Sequence, residues 1–405
     1  AALTTTIVGG YLFLPEQATF NLPALPALDK TTIPALSALL ALIVQSARNK
    51  TEGTEGIIPR SAWVTGLIVV MGLGVIGTVL TNREPLYTLG YTPGLRPWDL
   101  FASLLGLCIT VTPFLIARKY LASVSAQELA MKAFVVLALI YSLLALYEVR
   151  MSPQLNVMVY GFFQHDFAQH ARAGGYRPIV FLNHGLWVSL FFGMATVAAA
   201  GLTRIVPKER KTVFLLSTIW LYGTLVLSKS LGALVVTTLV IGLSFLPRRI
   251  AQIGIVISVG VVLAYPLMRS VDIVPTTKAV ELASVVNEDR GRSLAFRFLN
   301  EDALLDHARQ KPVFGWGGWG RNRAARIEDG REAVPDGAWI ISMGLGGYVG
   351  FLTTFGLLGI GALALVRGGR QVAPIAMTMA LMLTVNLIDL IPNATQTTLT
   401  WLLAG

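Results

Sequence analysis

The sequence predicts an all-α polytopic membrane protein with about twelve transmembrane helices. Three observations carry this expectation. The 405-residue chain is 54% hydrophobic and only 13% charged, where a soluble domain carries about 25% charged residues. Its apolar residues gather in repeated runs, most of them roughly 15 to 25 residues long, enough to cross a bilayer. The basic residues of the short connections fall unevenly on alternate sides of those runs.

In chain order the apolar runs are Leu3–Pro15, Thr31–Ala47, Ser61–Thr81, Trp98–Ala117, Ala133–Tyr147 and Pro178–Leu202. They continue as Val213–Ser228, Leu231–Leu246, Ile250–Leu267, Ala338–Val366, Val372–Leu390 and Thr395–Ala404. The first and last are short. No cleavable signal peptide is evident, and a first helix that inserts directly needs none. Connections after even-numbered runs hold fourteen Lys or Arg, from Arg48 to Arg370, and short connections after odd-numbered runs hold seven. The positive-inside rule then puts both termini in the cytoplasm. The expected organisation is one membrane domain over residues 1–405 with two excursions on the outer face, 149–177 and 269–337. The expected location is a bacterial inner membrane, multi-pass, with the excursions in the periplasm.

Composition also excludes. The net charge of +10 lies mostly in the connections expected to face cytoplasmic anionic lipid, so it calls for no nucleic-acid partner. No GxxxxGK[ST] loop is present, which argues against an attached ATP motor. The single cysteine, Cys108, excludes an intrachain disulfide and a cysteine metal site. The four histidines, His165, His170, His184 and His307, show no zinc-like spacing, and no metal is expected.

The large excursion is the chemically dense part. Arg269 to Asp336 holds eleven Arg/Lys and eleven Asp/Glu, half the acidic charge of the chain. Ser293 to Gln310 reads as a helix with Leu294, Phe298, Leu305 and Ala308 roughly on one face, stopped by Lys311-Pro312. Phe314-Gly-Trp-Gly-Gly-Trp-Gly320 follows as flexible backbone with aromatic surface. Its tryptophans suit an interfacial belt or a sugar face.

Arginine offers a planar fork of donors that fits phosphate oxygens in pairs. Arg177, Lys229 and Arg297, all expected at the outer boundary, together suit a diphosphate, although most such residues taken singly are interfacial anchors or ion-pair partners. His184 and Asn183 are placed just inside the sixth run, where a polar pair faces the bundle interior. Arg292 and Trp316 join them as candidate substrate contacts. Glu148 and Asp389, near run ends, read as structural. Glu301 follows Arg297 by four residues and suits a helical pair with it. Asp336 precedes Gly337 at the start of the tenth run, where local sequence favours a helix cap. Beside a basic cluster it also suits a general base on a hydroxyl, with its pKa lowered by neighbouring arginines.

Four segments, in order, resemble those of the O-antigen ligase and polymerase superfamily of bacterial polytopic glycosyltransferases. They are Arg177-Pro-Ile-Val-Phe-Leu-Asn183, Leu227-Ser-Lys229-Ser-Leu-Gly-Ala233, Arg297 with Pro312-Val-Phe-Gly-Trp-Gly317, and Asp336-Gly337 followed by Gly347-Tyr-Val-Gly350. The resemblance spans about Glu148 to Gly350. It implies a GT-C-like architecture and a glycan donor carried on undecaprenyl diphosphate. It also implies an inverting, metal-independent transfer to a glycan or lipid acceptor, with no cofactor and a chain-length regulator as a candidate partner. Carried onto this chain, Arg177, Lys229 and Arg297 bind diphosphate and Asp336 contacts the acceptor hydroxyl. Lysine at 229 replaces the family's arginine. Asp336 stands where the ligases have histidine, which favours the polymerase branch over a lipid A–core ligase. A transporter or flippase of lipid-linked glycans is the reading from another class, and it predicts ionisable residues at mid-membrane and symmetric broken helices. A membrane scaffold is a third.

Overall fold

The structure, a computed structural model, describes residues 2–21, 26–48, 59, 61–172 and 174–405. Among the described residues its regular structure is helical apart from one hairpin, β1 (Ala171–Arg172) and β2 (Gly175–Tyr176). The helices are α1 (Ala2–Phe13), α2 (Thr32–Arg48), α3 (Ala62–Leu80), α4 (Pro97–Tyr120), α5 (Val124–Met151), α6 (Leu155–Tyr160), α7 (Gly185–Ile205) and α8 (Lys208–Leu227). After them come α9 (Leu231–Phe245), α10 (Arg248–Ser270), α11 (Thr276–Val286), α12 (Glu288–Arg309), α13 (Ala338–Gly368), α14 (Pro374–Asp389) and α15 (Thr398–Ala404).

Each apolar run overlaps one of these helices. Six are long and apolar enough to cross a membrane: α3, α4, α5, α7, α10 and α13 over Ala338–Ala362. The other runs form shorter helices or, in α8, one that opens on the charged stretch Lys208–Lys211. Of the residues counted in the charge bias, Lys50 and Arg60 lie outside the described residues.

Helix α7 is the axis of the packing, and most of its surface is covered by α5, α8, α9 and α14. Its small residues set the register. Gly193 lies against Thr237 of α9 and Val385 of α14, and Gly201 lies against Thr378 of α14. That pairing runs α14 antiparallel to α7, so Gly185, the start of α9 and Asp389 share one end of the bundle. Both excursions sit at that end as well.

The sixth run does not start as a helix. Pro178 to Asn183 is irregular, and α7 begins at Gly185 with His184 as its cap. Buried side chains take up the backbone that helix would otherwise satisfy. The Glu148 carboxylate accepts from the amides of Leu155, Ile179 and Val180 at 2.8–2.9 Å. The Tyr141 hydroxyl accepts from the amide of Phe181, and the Gln164 amide donates to the carbonyls of Val180 and Leu182. Val180, at φ 50°, holds a backbone conformation costly for a β-branched residue. Asn183 and His184 therefore stand at a helix start, not inside a span.

The large excursion is also more ordered than its composition suggests. Helix α11 has no counterpart among the sequence expectations, and α12 begins five residues before Ser293. Helix α13 is broken at Gly347, which has φ 61° and ψ −159°. The segment after α12 docks into that break. Amides of Trp316 and Gly317 donate to the carbonyls of Gly344 and Leu345, and amides of Tyr348 and Val349 donate to Pro312 and Val313, at 2.7–3.2 Å. Phe314-Gly-Trp-Gly is therefore fixed backbone rather than a mobile loop. From the other side, Thr78 and Asn82 of the α3 end donate to the carbonyls of Phe314 and Gly315.

Two glycines permit this. A Cβ on Gly315 would stand 2.5 Å from the Gly347 nitrogen, and one on Gly347 would stand 2.5 Å from the Pro312 and Val313 carbonyls. Both have positive φ. Gly347→Ala is expected to lower stability by more than about 2 kcal/mol, from left-handed strain and overpacking together. Gly350→Ala, whose Cβ meets only the Ser342 carbonyl at 3.5 Å, is expected to unfold close to the unmodified protein. Thermal unfolding in detergent compares the two.

Candidate functional site

Arg297, Asp336 and Asp389 form one group and Arg177 and Lys229 another, both at the same end of the bundle. The first lies between α12, α13 and the segment after α14. Arg297, on α12, donates to the Pro392 carbonyl at 2.6 Å and to Asn393 Oδ1 at 3.4 Å. Its Nε stands 3.9 Å from the Asp336 carboxylate, both side chains being about one-third exposed. The pairing of Arg297 with Glu301 expected from helical spacing is replaced by this one.

Asp336 does not cap α13. The cap position is Gly337, with no side-chain cap bond, and the Ala338 amide donates instead to the carbonyls of Leu390 and Asn393. The carboxylate is thus turned to Arg297. Burial raises its pKa above the usual aspartate value, and Arg297 offsets this only in part. The expected lowering by arginines is thereby reversed: one cation near 4 Å does not outweigh desolvation. Below the pair, Asp389 accepts from Asn393 Nδ2 at 2.9 Å and from Thr395 Oγ1 at 2.6 Å. It holds the turn whose carbonyls receive Arg297.

Two cavities lie along α13 beyond this group, and neither is lined by Arg297 or Asp336. One, of 390 Å³, runs between α4, α13 and α15 and is lined by Ile109, Pro113, Ala338, Ile341, Leu345 and Trp401 among others. Ala338 is two residues from Asp336. The second, of 310 Å³, adjoins it through Thr110, Ser342, Leu345, Gln396 and Trp401 and reaches α3 and Trp319. Their walls are mainly apolar, with threonine, serine and glutamine at intervals.

The second group surrounds the start of α7. Arg177 is buried and donates to the Lys229 carbonyl at 3.2 Å. Its stem lies over Gly185, and the Lys229 ammonium approaches Gly175 of the hairpin. The Arg177 amide donates to the His170 carbonyl. His165 and His170 meet His184 here, with ring centroids 4.7–5.6 Å apart. Loop folding brings together histidines whose spacing along the chain showed no pattern.

The remaining candidates lie elsewhere. Arg292 is exposed on α12 and pairs with Asp289 at 2.6 Å. Trp316 is buried, stacked on His307 with centroids 4.5 Å apart, and its indole donates to the His307 carbonyl. It packs the docked segment and presents no face to solvent, whereas Trp319 is exposed. No family model matches the chain, and no curated protein is significantly similar to it.

A buried ionic cluster, missed in the sequence, ties α12 to α10. Arg269 is buried and bonds Asp302 at 2.5 Å, while its Nε stands 3.6 Å from Glu301. Glu301 also accepts from the Tyr265 hydroxyl. Burial pushes the Glu301 pKa up to about 7, and the Tyr265 hydroxyl and Arg269 offset this only in part. A carboxyl raised on folding contributes stability that is full below its unfolded value and lost as pH rises through the folded one. Thermal stability of the large excursion is therefore expected to fall between pH 4.5 and about 7, and Glu301→Gln is expected to flatten that slope. Melting curves across this range check it.

Proposed function

We propose that the chain is a membrane glycosyltransferase that joins lipid-diphosphate-linked oligosaccharide units into a surface polysaccharide at one face of the membrane. The observation that carries this reading is the Arg297–Asp336 pair, a guanidinium and a partly exposed carboxylate that does not cap α13, two residues before Ala338 in the wall of an apolar cavity. The resemblance to O-antigen polymerases and ligases supports the same assignment, and Asp336 in place of histidine favours the polymerase. The membrane is a bacterial inner membrane, crossed about twelve times in a GT-C-like arrangement, with the site on the periplasmic side.

The chemistry follows from the side chains. The acceptor hydroxyl attacks the anomeric carbon of the donor while the bond from that carbon to the diphosphate oxygen breaks. The bonding pair leaves with the diphosphate, and the configuration inverts. The hydroxyl proton passes to the Asp336 carboxylate, whose raised pKa matches it better to base catalysis than an ordinary aspartate. Charge grows on the departing diphosphate, and fixed guanidinium and ammonium groups stabilise it most when it is fully formed. Arg297 stands next to the base, and Arg177 and Lys229 add positive charge at the same end of the bundle. The apolar cavity lined by Ala338 suits the first isoprene units of the lipid.

Reconstituted protein given undecaprenyl-diphosphate-linked repeat units tests the proposal. Arg297→Ala is expected to lower the polymerisation rate by roughly 10²–10³-fold. Asp336→Asn is expected to abolish chain growth, and full polymer length and yield in that variant would end the reading. Transfer of intact chains to a separate acceptor, without lengthening, would identify a ligase instead. Activity of the unmodified protein is expected to fall as pH drops through the Asp336 pKa, with an acid limb above that of an exposed aspartate. A pH–rate profile measures it.

A further inference from the structure

We infer that His165, His170 and His184 form a binding site for a divalent transition-metal cation of the zinc class. The observation is geometric and does not rest on the transferase reading. Three of the four histidines in the chain converge from two turns of the smaller excursion and the start of α7. One ring nitrogen from each lies within 4.8 Å of the others. Tetrahedral zinc with Zn–N of about 2.0–2.1 Å places its ligand atoms roughly 3.4 Å apart, so shifts of about an ångström in the rings close the site. Such shifts can come from ring rotation of the partly exposed His165 and His184 toward the buried His170.

The surroundings fit a metal held by nitrogen. Imidazole is the ligand type that zinc and its neighbours share, and three of them with an open fourth position is a recurring arrangement. His170 is fully buried while His165 and His184 are partly exposed, which leaves one side of the cluster open. The Nδ1 of His165 is buried without a hydrogen-bond partner among the described residues, an unmet acceptor or donor that ligation by that ring satisfies or reorients. The Nδ1 of His184 accepts from the Leu186 amide at 3.0 Å. If that nitrogen is the ligand, binding exchanges one cap bond at a helix start, where water replaces the lost acceptor.

Arg177 and Lys229 stand beside the cluster. Their positive charge disfavours a bare cation and favours a metal whose fourth ligand is an anion, such as hydroxide or a phosphate oxygen. His170 and His184 bracket Arg177 along the chain. A metal joining them would lock the hairpin that carries Arg177 onto the start of α7. The ion would then position the arginine whatever substrate the arginine holds.

Tag-free protein, stripped with chelator in detergent, is titrated with Co²⁺ and with Zn²⁺. The expected result is one Co²⁺ per chain with the intense visible bands of tetrahedral nitrogen coordination, displaced by Zn²⁺, and a higher melting temperature with either metal. His184→Asn keeps a capping side chain but removes the ligand, and His165→Gln leaves the helix start untouched. Each is expected to weaken binding by more than roughly 100-fold, beyond the loss typical of residues that only support a ligand. Weak binding without tetrahedral bands, or binding unchanged in both variants, would show an adventitious ion and overturn the site. Binding of inorganic pyrophosphate that depends on the three histidines, with no metal uptake, would overturn it as well.

Discussion

The end of the bundle that carries both excursions depends on one backbone contact. Residues 312–317 lie in a break in α13, and four amide-to-carbonyl bonds cross between them. Helix α13 loses its own bonds at Gly347, and the docked segment supplies replacements. Neither chain can carry a Cβ at the closest point, which is why Gly315 and Gly347 face each other. Because Lys311-Pro312 ends α12 and Asp336 precedes α13, the contact fixes both the helix that bears Arg297 and the residue it meets. The chain between them is a closed excursion. It is held by the Val334 amide on Asn300, by His307 on the Arg321 carbonyl, and by Arg321 on the Pro93 carbonyl.

Most of the charge in that excursion serves architecture. Arg269 joins Asp302 and Glu301, Arg309 joins Asp272 and Asp306, and Arg326 joins Asp329. Lys311 reaches Glu84 at the end of α3. Arg297 differs from these in the character of its partners. It meets two peptide-like oxygens closely and its carboxylate only at 3.9 Å, so the contact between the charges is loose. A loose pair near the surface is poor stabilisation, and it leaves both groups able to turn to a charged ligand. The same reasoning separates Asp336 from Asp389, whose oxygens are already engaged by Asn393 and Thr395.

The smaller excursion follows a different rule. The backbone that follows it is irregular where the helix would be expected to continue, and Glu148, Tyr141 and Gln164 meet the buried amides and carbonyls left without helical partners. Non-helical backbone inside an apolar bundle persists only when such partners exist. The result is a rigid platform on which Arg177, Lys229 and three histidines crowd around the start of α7. Glycines at 175 and 185 leave room for the long cationic stems.

The sequence by itself determined the helical class, the placement of the apolar runs and the residues worth watching, because hydrophobic length and charge density are local properties. It also marked the turn at Pro312 and the glycine pair at 347 and 350. Pairings across distance were beyond it. Spacing matched Arg297 with Glu301 and made Asp336 a cap, yet Glu301 turns to Arg269 and Asp336 turns to Arg297, since partners are chosen by where α10, α12 and α13 meet. Local pattern likewise offered Trp316 as surface and the histidines as unrelated. Burial against His307 and the fold of the loop before α7 decided otherwise. The sign of the Asp336 shift was decided the same way: neighbouring charges can be counted along a chain, but the loss of water around a carboxyl exists only once the chain has packed.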